Sequence, residues 1–469
     1  MSHGSRLTAL DHSFLQLEGR ATHMHVGACA VFDGPAPAYA DLVATVAARL
    51  HLVPRYRQRL APVPLGQGRP VWVDDPQFRL PFHVRHTALP RPGGEPQLRH
   101  LAGRIFSQAL DRGRPLWEMW LVEGLDDGRF ALFSKTHHAL IDGVSGVDIA
   151  SVIFDTDPHA HADHAPARWA PRPLPSAAQL LADALTERAT RPAEAVATLD
   201  AIARRPRSLL SRAGAAAAGL GALTWAGLAP APRSPFNVPI GPHRRFTWVD
   251  ASLDHFRAVK RAQQVTINDV ILAAVAGGLR GYMERNEFAT DGLVLKALVP
   301  VSVRDPAHRG VLGNHVAAMW APLPVGISDP LERLRVIAEA MTGVKRSGQA
   351  VGAQALTELA GFASPTLVAQ ASRLQARQRL FNLVVTNVPG PQQPLYLLGS
   401  RMRAIYPLVP LAANTALGIA VLSYDGRLNF GLNADYDALS DLDLLAADLE
   451  AAIAEIVQSV EDSAIAAIT

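Results

Sequence analysis

The sequence predicts a two-domain α/β protein, and three observations carry the prediction. The chain has 469 residues, a length that favours two domains. Strand-like and helix-like segments alternate in its first third and again in its second half, an order that builds layered α/β folds rather than helical bundles. Between these regions, from about Asp155, the composition turns to Pro, Ala and His in "DTDPHAHADHAPARWAPRPLP", which reads as a linker.

In chain order, "MHVGACAVF" reads as a strand and "YADLVATVAARL" as a helix with apolar residues at three-to-four spacing. "LRHLAGRIFSQAL" is a second helix, "FALFSKTHH" a strand, and "VSGVDIASVIF" the helix after it. Past the linker comes a helix from about Ser176 to Ala203, then an Ala/Gly-rich stretch and "RSPFNVPIGPHRRF". "TINDVILAAVAGGLRGYM" is a helix with Thr at its start. "LVLKALVPVSV", "VAAMWAPLPV", "LFNLVVTNVPG", "MRAIYPLVP", "TALGIAVLSY" and "LNFGLNAD" are strand candidates. The last two form a hairpin with Asp-Gly at its turn. The halves share their element content, which suggests a duplicated pair of domains.

Composition narrows the function. A net charge of +3 argues against a nucleic-acid binder. The one cysteine, Cys29, excludes an intramolecular disulfide, argues against a zinc-thiolate site, and reads as a small buried hydrophobe. No 18-residue window is free of charges and breakers; the nearest, Ala213 to Pro232, is loose or interfacial. "MSHGSRLTALDHS" has no apolar signal core. Basic runs at Ala203–Arg212 and Pro242–Phe246 are solvated faces or contacts to anionic headgroups. A cytoplasmic protein with peripheral membrane or lipid-body contact is expected.

The stretch "SKTHHALIDGVSG" concentrates the chemistry. Neighbouring strand residues point to opposite faces, so His137 and His138 are not expected to share one cavity. That weakens a metal site built on them. Ser145 lies nearby, but Gly143-Val144-Ser145-Gly146-Val147 lacks the last glycine of a nucleophile elbow. A general base remains, suited to imidazole chemistry near neutrality, alongside the alternative of a purely structural histidine pair. Asp142 would fix the loop or an arginine, and Gly143 would relieve crowding at the bend.

The string His137-His138-Ala139-Leu140-Ile141-Asp142-Gly143 matches the HHxxxDG signature of the CoA-dependent acyltransferase superfamily. Together with "LTALDHSFLQLEGRATHMHVG", "RPLWEMWLVEGL", "NVPIGPHRRF", "TINDVILAAVAGGLR", "VPVSVR", "LGNHVAAM" and "NLVVTNVPGP", in that order along the chain, it resembles the bacterial wax ester synthase/diacylglycerol acyltransferase family. The resemblance implies two chloramphenicol-acetyltransferase-like domains, 1–156 and 246–469, each a sheet flanked by helices. Residues 157–245 would link them, and a tunnel would run between them. It implies transfer of a long-chain acyl group from acyl-CoA, a co-substrate rather than a cofactor, to diacylglycerol or a long-chain alcohol; the alternatives are another acceptor (an amine, a sterol or a short alcohol) or a non-catalytic lipid-body surface protein. It implies His138 as the base, with His137 holding the turn. Asn268 and Asp269 would line or support the tunnel, Asn268 being the candidate oxyanion donor. The resemblance also implies that Asp142 pairs with an arginine: Arg57, ahead of Arg55 and Arg59, with Arg304 as the alternative. No metal or cofactor is expected.

Overall fold

The computed structural model of the chain describes residues 5–140, 152–160, 169–187, 230–302, 316–346 and 379–466. Two six-stranded mixed sheets organise them. The first is built from β2 (His25–Phe32), β5 (Val84–Ala88), β6 (Trp117–Glu123) and β7 (Phe130–His137). It also takes β12 (Tyr396–Leu397) and β13 (Ser400–Leu408) from the far end of the chain. The order is β12-β13-β2-β7-β6-β5, with only β5 and β6 parallel. A small sheet of β1 (Ser5–Arg6), β3 (Gln58–Ala61) and β4 (Val71–Asp74) lies beside it.

The second large sheet runs β10-β9-β11-β14-β15-β8. Its strands are β8 (Arg244–Ser252), β9 (Leu295–Ser302), β10 (Val316–Leu323), β11 (Leu383–Pro389), β14 (Leu417–Tyr424) and β15 (Arg427–Asp435). β9, β11 and β14 are parallel neighbours. The β14–β15 hairpin turns at Asp425 and Gly426, whose φ values of 43° and 78° are the left-handed pair a tight hairpin turn requires.

The helices of the first half are α1 (Ala9–Leu17), α2 (Tyr39–Arg49) and α3 (Glu95–Phe106). In α3, Leu98, Ala102, Ile105 and Phe106 are buried, one helical face. α4 (Leu253–Gln263), α5 (Ile267–Arg285), α6 (Pro330–Arg346) and α7 (Leu442–Ala466) belong to the second half. α5 is apolar nearly all round, with Val270 to Ala276 all buried, as a helix enclosed by its neighbours must be. Residues 177–187 are helical; the rest of the helix expected over 176–203, and most of the one expected after the histidines, lie outside the described residues.

The two halves are welded together. Phe246 and Trp248 of β8 pack into the same apolar cluster as Cys29, Val31, Phe106, Phe133 and Tyr406. Trp248 stacks on Tyr406 at 4.7 Å, and the Tyr406 hydroxyl donates to Asp250 at 2.8 Å. Cys29 is fully buried here. At Gly103 a Cβ would stand 2.7 Å from the Arg244 carbonyl oxygen, so only glycine lets α3 lie this close to the start of β8.

Candidate active site

The site grows from the end of β7. There β7 pairs with β2 on one side (His25 opposite His137) and with β6 on the other (Trp117 opposite Thr136). The last ladder contacts are His137 N–H to Leu116 O at 2.9 Å and His138 N–H to Met24 O at 2.7 Å. The chain then turns, closed by Leu140 N–H to His137 O at 2.8 Å. Both imidazoles meet α1 and its C-cap, His137 near Glu18 and His138 against Phe14.

His137 is fully buried. Its Nδ1 accepts from the Ala139 N–H at 3.0 Å, so the ring proton sits on Nε2. Nε2 stands 3.5 Å from Glu18 Oε1, too long for a hydrogen bond but close enough for charge–dipole attraction. Glu18 ends α1, its N–H donating to Phe14 O, and its other oxygen pairs with Arg112 at 2.6 Å. Burial alone would raise the Glu18 carboxyl, but His137 and Arg112 hold it down at about 2.

His138 is half-buried. Its ring lies against Phe14, centroids 3.9 Å apart and planes 25° from parallel. Burial pushes the imidazole down to about 4; its own backbone carbonyl opposes this, and His137 adds to it. The ring is therefore neutral at physiological pH and carries a free lone pair. Nδ1 is buried with no hydrogen bond to another described residue.

A buried ion pair stiffens the strand beneath. Lys135 Nζ donates to Ile105 O at 3.1 Å and Gln108 O at 2.9 Å and meets Glu118 at 3.2 Å. Burial lowers its pKa and Glu118 opposes the shift. Opposite, His23 and His25 stack at 5.8 Å, their Nε2 atoms against Pro242 O and Phe106 O. Burial lowers both imidazole pKa values.

Of the residues singled out in the sequence, Asp142, Gly143, Ser145 and Arg304 lie outside the described residues. Arg57 is buried, its guanidinium 5.1 Å above the Trp169 ring; burial lowers its pKa and Asp74 opposes. Arg55 sits over Trp72 at 5.2 Å, and Arg59 is 3.9 Å from Asp75. Asn268 is half-buried in the first turn of α5. Asp269 caps that helix: its Oδ2 accepts from the Thr266 N–H at 2.9 Å and hydroxyl at 2.7 Å, while its own N–H donates to Thr266 Oγ1 at 3.2 Å. Its Oδ1 is buried with no hydrogen-bond partner among the described residues. Arg244, within the basic run 242–246, is no surface charge: it is 4% exposed and donates to the carbonyls of Ala21, Gly241 and His243.

Phe14, Glu18 and the Lys135–Glu118 pair were not legible as site residues. The helix that carries Phe14 did leave a signal. Thr8 followed three residues later by Asp11 is an N-cap pattern, and Thr8 Oγ1 does accept from the Asp11 N–H at 3.1 Å.

Residues 7–271 match the wax ester synthase/diacylglycerol acyltransferase catalytic domain, and residues 312–457 match the C-terminal domain of the same family. Over 466 residues the chain is 36% identical to a probable diacylglycerol O-acyltransferase of Mycobacterium tuberculosis, spanning 97% of this chain and 96% of that one. A second such protein of the same organism is 36% identical over 461 residues, 96% of this chain and 98% of that one. Among solved structures, the wax ester synthase/diacylglycerol acyltransferase of Marinobacter aquaeolei superposes with a TM-score of 0.67 at 30% identity. The match spans 97% of this chain and all of that one. The starter condensation domain of rhizomide synthetase, 17% identical with a TM-score of 0.58 over 98% of this chain and 95% of that one, shares the fold.

Proposed function

The chain belongs to the wax ester synthase/diacylglycerol acyltransferase family and is an acyltransferase; we propose that it moves a long-chain acyl group from CoA to the hydroxyl of diacylglycerol or a long-chain alcohol, with His138 as general base. One observation carries the assignment of the base. His138 is only half-buried and its ring is neutral, whereas His137 is fully buried, with Nδ1 accepting from the Ala139 N–H at 3.0 Å and Nε2 facing Glu18 at 3.5 Å.

In this reading the alcohol oxygen attacks the thioester carbonyl carbon as its proton passes to His138. The tetrahedral oxyanion collapses, the C–S bond breaks, and protonated His138 returns its proton to the CoA thiolate. A pKa near 4 weakens the pull on the hydroxyl and favours the return step, so proton removal goes together with C–O bond formation. Such a base contributes about 10²–10⁴-fold. Juxtaposing two bound substrates and stabilising the oxyanion supply the remainder, and Asn268 is our candidate donor to the oxyanion. No protein nucleophile and no cofactor enters the sequence of steps.

Contact with a membrane or lipid body would be peripheral. Among the described residues no helix is long and apolar enough to cross a membrane, and the basic run Ala203–Arg212 would meet anionic headgroups, each residue contributing about 1 kcal/mol. The test of the reading is release of free CoA from a long-chain acyl-CoA, assayed with hexadecanol and with dioleoylglycerol in separate reactions. Acceptor-dependent release with at least one supports it. Release that no hydroxyl acceptor stimulates would overturn it.

A further inference from the structure

A cleft of about 630 Å³ opens between the two halves of the molecule, with α3 on one wall and the start of β8 on the other. Its charge is one-sided. Arg99, Arg104, Arg244 and Arg245 line it together with His100 and His243, against the single carboxylate of Asp443. That carboxylate is already taken, accepting from Arg99 at 3.1 Å and from the Thr247 hydroxyl at 2.7 Å. Arg104 and His100 stand exposed with no partner among the described residues. Arg244 adds a buried cation whose nearest carboxylate, Asp435, is 3.9 Å away. Burial lowers that guanidinium to about 10, so it stays charged at neutral pH. Clefts lined by one sign of charge focus the field and concentrate counter-ions.

The cleft also offers aromatic surface. Tyr436 is 39% exposed at its edge, with Arg245 over its ring at 3.9 Å. Arginines with an exposed ring suit a phosphorylated aromatic base: guanidinium for phosphate, ring face for stacking. The cleft adjoins the site already described. Ser107 on its wall accepts the Arg244 N–H at 2.8 Å, and the next residue, Gln108, holds Lys135 through its carbonyl at 2.9 Å. Lys135 is two strand positions from His137, about 7 Å.

We propose that this cleft receives the phosphate-bearing nucleotide end of the acyl-CoA donor, leaving the thioester free to reach inward to His138. The proposal rests on the acyltransferase reading, because the acyl-CoA donor is the one substrate there that combines several phosphates with a purine.

Arg104→Glu is the variant of choice, since the side chain is exposed on α3 and makes no contact the fold needs. Two donors with the same acyl chain are compared, the CoA thioester and the N-acetylcysteamine thioester, which lacks phosphate. The ratio of kcat/KM for the CoA donor to that for the truncated donor should fall about tenfold. Adenosine 3′,5′-bisphosphate, titrated calorimetrically into the protein, should bind the wild type and bind the variant about tenfold more weakly. An unchanged donor ratio, or a bisphosphate that does not bind a wild type active with acyl-CoA, would overturn the proposal and leave the acyltransferase reading standing. Arginine-dependent bisphosphate binding by a protein that transfers no acyl group would support the cleft and sink that reading. Arg104-dependent binding of anionic phospholipid vesicles without bisphosphate binding would give the cleft to a lipid surface instead and overturn the proposal.

Discussion

Glu18 and His137 fix the turn at the end of β7 between them. The His137 Nε2 stands 3.5 Å from Glu18 Oε1 while its Nδ1 accepts the Ala139 N–H at 3.0 Å. The turn that presents His138 is therefore tied at two points, once through the backbone and once, across to the end of α1, through a carboxylate.

Glu18→Gln keeps the shape of that carboxylate and removes its charge. It should lower stability by about 1.5–3 kcal/mol, the worth of hydrogen bonds to a charged group such as the one Arg112 Nε donates to this carboxylate at 2.7 Å, and reduce turnover less than loss of His138 does. Thermal melts and CoA release measure both. A melting midpoint equal to wild type would show that the tie carries no weight.

Phe14 covers one face of His138, and burial is the main reason its imidazole falls to about 4. The active base is the neutral ring, so activity is present above the folded-state pKa and is lost as pH falls through it. In the wild type the acid limb of kcat/KM should lie near pH 4, well below the 6.5 of free histidine. Phe14→Ala readmits water and should move the limb upward, toward 6.5. An acid limb at the same pH in both proteins would refute this account of the shift.

Asp142 and Arg57 are proposed partners across the loop that aims His138. Removing one member of a partly buried pair costs about 3–5 kcal/mol because a charge is left alone. Asp142→Ala and Arg57→Ala should each lower stability and turnover, and the double variant should be no worse than either single. Asp142→Asn should keep more of the fold than of the activity. Fully additive losses would show that the two side chains act independently. Arg57 would then be held by its contact over Trp169 and the nearby charge of Asp74.

Membrane attachment through basic residues should be salt-sensitive, since attraction to a charged surface decays within a Debye length, about 8 Å at physiological ionic strength. Flotation with anionic vesicles should show binding that declines as salt rises. Binding that survives both high salt and carbonate would mean a deeper, apolar attachment.

Much of the second half could be read in the chain. The helix expected from Thr266 is α5 with Thr266 as its cap, because a capping residue followed by a long apolar run is a local signal. The Asp425-Gly426 turn was equally local. What escaped was tertiary. β13 reads as a strand, but nothing near it says that Tyr406 will lie opposite Cys29 in the first sheet. The same holds for Phe14 and Glu18, whose histidine partners sit more than a hundred residues away. Asp269 illustrates a motif with two readings: it was expected at a tunnel wall, and one of its oxygens serves the Thr266 cap. Nor could sequence tell buried Arg244 from exposed Arg104, because the difference comes from tertiary packing, with α3 lying close on the start of β8 at Gly103.

The central claim, that His138 and not His137 is the base, is tested most directly by comparing His138→Ala with His137→Ala in one acyl-transfer assay, each variant first shown by circular dichroism and melting to be folded. Loss of a general base predicts a fall of about 10²–10⁴-fold in kcat for His138→Ala. For His137→Ala the account predicts a lower melting midpoint and a distinctly smaller loss of kcat, because only the support of the turn is gone. Equal kcat in two folded variants, or a folded His138→Ala that keeps wild-type turnover, would contradict it.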